Sequence, residues 1–148
     1  MAATGKPINV KKGQFLAPWD AKNLVEKIQS TGNQSILLTE RGSSFGYNNL
    51  VADLRGLAIL RATGYPVVFD VTHSLQLPGG LGTSSGGQKE FIPALARAAT
   101  AVGIDALFME VHPRPEEALC DGPNSQPFEG LQPLLEQVMA IDSLVKSR

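Results

Sequence analysis

Four short apolar runs in this chain each end on side chains that can do chemistry. "PINV" is followed by Lys11 and Lys12, and "SILLT" by Glu40 and Arg41. "PVVFDV" leads to His73, and "ALFMEV" runs into Glu110 and His112. The planar guanidinium of Arg41 suits a phosphate or carboxylate through two parallel hydrogen bonds. It is followed by "GSSFGYNNL", whose glycine and serine amides can approach an anion closely. Lys11 and Lys12 are either further cations for such an anion or a solvated strand end. Glu40 either joins the site or simply pairs with a basic neighbour. A lone histidine after a strand is commonly a hydrogen-bonded structural residue. His73, Glu110 and Asp121 together, however, make a nitrogen and two carboxylates able to handle protons or hold a divalent ion. Residues 71–91, "VTHSLQLPGGLGTSSGGQKEF", contain five glycines. They carry neither a Walker pattern nor a dinucleotide fingerprint. Ser84, Ser85 and the glycine amides fit a phosphate-gripping or lid loop, or else a mobile surface loop with no role.

These side chains need elements to position them. The four apolar runs are short and rich in β-branched residues, as strands are. Between them lie segments of helical spacing. "WDAKNLVEKIQSTG" has Asp20 as an expected N-cap and a stop near Gly32. "NLVADLRGLAILRATG" places Leu50, Leu54, Leu57 and Leu60 on one face, and "KEFIPALARAATAVG" and "LQPLLEQVMAIDSLVKS" follow. Strand alternating with helix four times predicts an α/β fold with a parallel sheet and right-handed crossovers, a single domain over residues 1–148. In such a fold all four polar strand ends share one rim.

Composition sets the boundaries. Thirteen Lys and Arg against 14 Asp and Glu leave no global field to attract nucleic acid or an anionic membrane, so any anion binding is local. One cysteine, Cys120, excludes an internal disulfide framework and favours a reducing compartment. No apolar run is long enough to span a bilayer, and "MAATGKPINV" lacks the pattern of a signal peptide. The expectation is a soluble, cytoplasmic protein.

"INVKKGQFLAPWD", "ERGSSFGYNNLV", "FDVTHSLQLPGG", "SSGGQKEF" and "FMEVHPRPEEALCDGP" closely resemble, in order and over nearly the whole chain, the 3-deoxy-D-manno-octulosonate 8-phosphate synthase family. The resemblance implies a TIM-type β/α barrel. It also implies a homotetramer condensing phosphoenolpyruvate with arabinose 5-phosphate, releasing phosphate in lipopolysaccharide precursor synthesis. It covers the carboxyl-terminal four β/α units, a half-barrel, from the end of the fourth helix. Met1 then corresponds to an internal position, and the family's further lysines and asparagine-arginine pair have no counterpart. Such a half-barrel is expected to self-associate, bind a missing half, or be poorly stable.

By resemblance, Lys11 and Arg41 hold the phosphate and neighbouring charge of phosphoenolpyruvate. Ser85 contacts the sugar phosphate, with Gln76 in the same loop. His73, Glu110 and Asp121 surround the reacting carbons. In metal-dependent members these three join an upstream cysteine around a divalent ion, whereas metal-independent members have asparagine there. "CDGP" leans toward the metal-independent branch. Cys120 is not expected to be a nucleophile. Two alternatives remain: a non-catalytic half-barrel that binds a phosphorylated ligand, and a related synthase using erythrose 4-phosphate.

Overall fold

A computed structural model describes residues 1–147. Its centre is a parallel sheet of β1 (Ile8–Lys11), β2 (Ile36–Glu40), β3 (Val67–Asp70) and β4 (Ala106–Phe108), lying side by side in chain order. The register pairs Lys11 with Thr39, Thr39 with Val68, and Asp70 with Phe108. Each crossover therefore lands on the neighbouring strand, and the sheet does not reverse direction as a doubly wound sheet does. The four expected strands are all present.

Alternation along the strands divides the sheet into two faces. Ile36 and Leu38 of β2 and Val67 and Phe69 of β3 pack into the helix-side core. They meet Ala21 and Val25 of α1 (Ala21–Gln29), Leu57 and Leu60 of α2 (Arg55–Arg61), and Ile92, Ala96 and Ala99 of α3 (Ile92–Val102). α4 (Leu131–Lys146) packs on α3 and adds Leu134. Burial of each large side chain in this layer contributes roughly 1.5–3 kcal/mol. The opposite face carries Asn9 and Lys11, Thr39, Val68 and Asp70, and Phe108. This second face is polar toward the carboxyl ends of the strands.

Two local expectations are corrected. Asp20 does occupy the N-cap position of α1, but its side chain makes no capping bond. A 3₁₀ turn over Pro18–Asp20 precedes the helix, so Asp20 already has helical dihedrals (φ −80°, ψ −7°) rather than the extended ones from which a carboxylate reaches back to the first amides. The second helix is also shorter than its spacing suggests. Leu50 and Val51 pair antiparallel with Ser43 and Ser44, because left-handed residues at Gly42, Gly46 and Asn48 fold this stretch into a hairpin. Helix α2 starts only where Asp53 accepts the Arg55 amide (3.0 Å). Among the described residues, no helix is long and apolar enough to cross a membrane.

Candidate active site

Asp70 is the last residue of β3, wholly buried, and on the polar face. A carboxylate there survives only if its oxygens are satisfied. Lys11, two strands away on the same face, reaches it with Nζ at 2.6 Å. His73, three residues on in a 3₁₀ turn, donates its backbone amide at 2.9 Å and brings ring Nδ1 to 2.8 and 3.1 Å from the two oxygens. Burial pushes the Asp70 carboxyl up, but the bonds from the His73 ring and amide and from Lys11 more than offset it and hold it below the ordinary carboxylate range. Phe108 of β4 supports both partners. Lys11 Nζ lies 4.2 Å from its ring centroid, and the His73 ring sits 6.0 Å away, centroid to centroid, at a tilt of 38°.

From His73 the arrangement continues around the mouth. Nε2 faces Asp121 Oδ1 at 3.7 Å, longer than a hydrogen bond. Asp121 stands in the left-handed region (φ 54°) before a 3₁₀ turn over Gly122–Asn124. Its Oδ1 accepts from Gln76 Nε2 (3.3 Å), whose Oε1 accepts from Arg41 Nη2 (3.3 Å). Arg41 Nε is buried without a partner, which leaves a cationic donor unused at the end of the chain of contacts. Lys11, Asp70, His73, Asp121, Gln76 and Arg41 thus form one arc from four separate segments. Beside it opens a cavity of about 680 Å³, lined by Gln76 and Asp121, by Ser84, Ser85 and Lys89 of the glycine loop, and by Pro115, Glu116 and the rest of residues 118–124. Gly86 and Gly87 pair with Gln76 and Leu77, and the side chain of buried Asn124 lies directly over the Gly87 α-carbon.

Of the seven residues given roles by resemblance, five, Lys11, Arg41, His73, Gln76 and Asp121, therefore lie in the arc, and Ser85 lines the adjoining cavity. Glu110 is less engaged. Its amide donates to Thr72 Oγ1 (2.8 Å) and its carbonyl accepts from Gln126 (3.0 Å), but its carboxylate has no hydrogen bond or ion pair among the described residues. The charge of Asp121 first, then desolvation, a hydrogen bond to Asp121 and the charge of Glu110 push the Cys120 thiol up. Such surroundings oppose a thiolate. Among the described residues no three His, Cys, Asp or Glu side chains gather closely enough to hold a metal ion. His73, Glu110 and Asp121 as arranged do not make a three-donor site. Asp70 occupies His73 Nδ1, Gln76 engages Asp121 Oδ1, and Glu110 stays apart.

Two residues of the neighbourhood escape a reading that looks only just past each strand. Asp70 was hidden inside an apolar run. Lys12 is not a solvated strand end. It is 2% exposed, pairs with buried Glu40 at 3.5 Å, and donates to the carbonyls of Gly13, Leu16 and Gly42 and to Ser43 Oγ at 3.2–3.3 Å. Glu40 Oε1 in turn accepts the Gly42 amide at 2.6 Å. This pair fixes the two loops between which Arg41 emerges.

A parallel sheet of four strands alternating with helices, with a polar site beyond the carboxyl ends of its strands, defines an α/β protein. Residues 1–147 match the DAHP synthetase I family, and the chain belongs to that family. Among curated proteins it is similar to the 2-dehydro-3-deoxyphosphooctonate aldolase of Geobacter sp. (strain M21), with 65% identity over 144 residues, 97% of this chain and 53% of that protein. The protein of the same name from Pelobacter propionicus is 65% identical over 145 residues (98% and 53%), and that from Coxiella burnetii 63% over 147 residues (99% and 52%). The chain spans about half the length of these relatives.

Proposed function

We propose that this chain is the carboxyl-terminal half of a β/α barrel that condenses phosphoenolpyruvate with arabinose 5-phosphate to give 3-deoxy-D-manno-octulosonate 8-phosphate and phosphate. The observation that carries this reading is the continuous arc from Lys11 to Arg41 beside a cavity fit for a phosphosugar, in a chain so similar to proteins named for that eight-carbon sugar phosphate. In it, Lys11 and Arg41 stabilise the phosphate of phosphoenolpyruvate, and the unpartnered Arg41 Nε takes one of its oxygens. Ser85 and Gln76 hold the phosphosugar. The enol carbon attacks the aldehyde carbon, water adds at the carbon bearing the phosphate ester, and that carbon-oxygen bond then breaks to release phosphate. His73 and Asp121 receive and return the protons of water and of the aldehyde oxygen. The reading keeps the metal-independent form toward which "CDGP" leans, and no step passes through a metal. Further parts of the reading are a cytoplasmic homotetramer supplying lipopolysaccharide precursors.

The test is phosphate release from the two substrates together. Turnover that falls about 10²-fold or more in Arg41→Ala is the expected result. Use of erythrose 4-phosphate in preference to arabinose 5-phosphate would overturn the substrate assignment. A second reading, a half-barrel that binds phosphorylated ligands without turning them over, is favoured by the coverage of only half of each relative. Binding of phosphoenolpyruvate by calorimetry with no phosphate release under any substrate pairing would establish it.

A further inference from the structure

We infer that Asp70 is a positioning residue that sets the ring orientation and tautomer of His73 and, through the same carboxylate, fixes where the Lys11 ammonium stands. This deepens the reading above, since it assigns a proton inventory to the same rim. A positioning carboxylate must be immobile, and Asp70 ends the central strand with no exposed surface. It meets the ring and the backbone amide of the same histidine at 2.8 and 2.9 Å, so both ends of the His73 residue are held. An ionised carboxylate offers only acceptors, so the hydrogen in the short contact belongs to His73 Nδ1. In the neutral ring Nε2 then carries the lone pair, turned toward Asp121 Oδ1 across a 3.7 Å gap that no direct hydrogen bond spans.

Two acceptors facing each other across such a gap require a donor that can serve both. A water molecule or a substrate hydroxyl has that chemistry. His73 is thereby set to accept a proton at Nε2 rather than to deliver one from it. Lys11 contributes to the same geometry, because it and the imidazole lean on one Phe108 ring while sharing Asp70. The carboxylate thus spaces a fixed cation from a proton acceptor.

The test needs no turnover, so its outcome is separable from that of the proposed reaction. The chain has two histidines, and His112, whose Nδ1 bonds within its own turn to the Arg114 backbone, is removed in His112→Ala to assign the spectrum. Long-range ¹H–¹⁵N NMR of the labelled chain, above the ordinary imidazole range, should show His73 as the Nδ1–H tautomer by at least about tenfold. Asp70→Asn should bring the two tautomers toward parity, because an amide presents either a carbonyl or an N–H to the ring. Lys11→Met should leave the preference in place. A parent spectrum dominated by Nε2–H, or an Asp70→Asn spectrum unchanged from the parent, would overturn the inference. Should Asp70→Asn fail to fold, the parent spectrum decides alone.

Discussion

The adjacent lysines of "NVKK" end in two ion pairs on opposite faces of one sheet. Lys12 shares the parity of Val10 and turns to the helix side, where it meets Glu40, a residue in step with Leu38. Lys11 shares the parity of Asn9 and turns to the polar face, where it meets Asp70. The first pair is sealed, with side-chain exposures of 2% and 3%, and four other oxygens surround the ammonium. The second is open on one side only, 36% for Lys11 against 0% for Asp70. A sealed, saturated cation cannot bind a ligand without losing its bonds. An open one can turn toward an anion while its carboxylate stays in place. The difference separates the pair that holds the loops from the pair that serves the site.

Three measurements would break or sharpen this contrast. Glu40→Ala strands a buried ammonium and releases the Gly42 amide, so urea unfolding should report a loss of about 3–5 kcal/mol. A loss within the range of surface substitutions would mean that the pair is not sealed. Asp70→Asn should cost less, about 1.5–3 kcal/mol, the worth of hydrogen bonds to a charged group. Its signature lies in pH. A carboxyl held below its unfolded value stabilises the fold above the unfolded pKa, and that contribution is lost as pH falls through the lower folded value. The parent chain should therefore lose stability through and below the ordinary Asp range more steeply than Asp70→Asn, in denaturation midpoints taken across that window. Lys11→Met should change least, about 0–1 kcal/mol, with a cost that shrinks as salt is added. A salt-insensitive cost comparable to that of Glu40→Ala would erase the distinction between the two pairs.

Much of this was legible in the residues themselves. The four strands and their direction followed from apolar runs alternating with helical spacing, and direction alone was enough to bring Lys11, Arg41 and His73 to one rim. What stayed hidden were charges within the apolar runs or at odds with a simple in-or-out assignment. Asp70 sits in "VVFDV", where an ionisable side chain in a run with no exposed position is itself a signal, because such a group requires partners. Lys12 was readable by the same two-residue period that places Val10 in the core. The start of α2 was not, since Leu50 and Leu54 satisfy helical spacing while the turn residues at Gly42, Gly46 and Asn48 dictate a hairpin. How Glu110 stands relative to His73 and Asp121 depends on tertiary placement, which spacing along the chain does not encode.

Asn124 resting on Gly87, with its side-chain nitrogen 3.4 Å from the Gly86 carbonyl, joins the glycine loop to the loop that carries Asp121. Any β-carbon at position 87 would occupy the space of that amide and wedge the two loops apart. How closely these two loops approach is set by a carbon atom that the sequence leaves out.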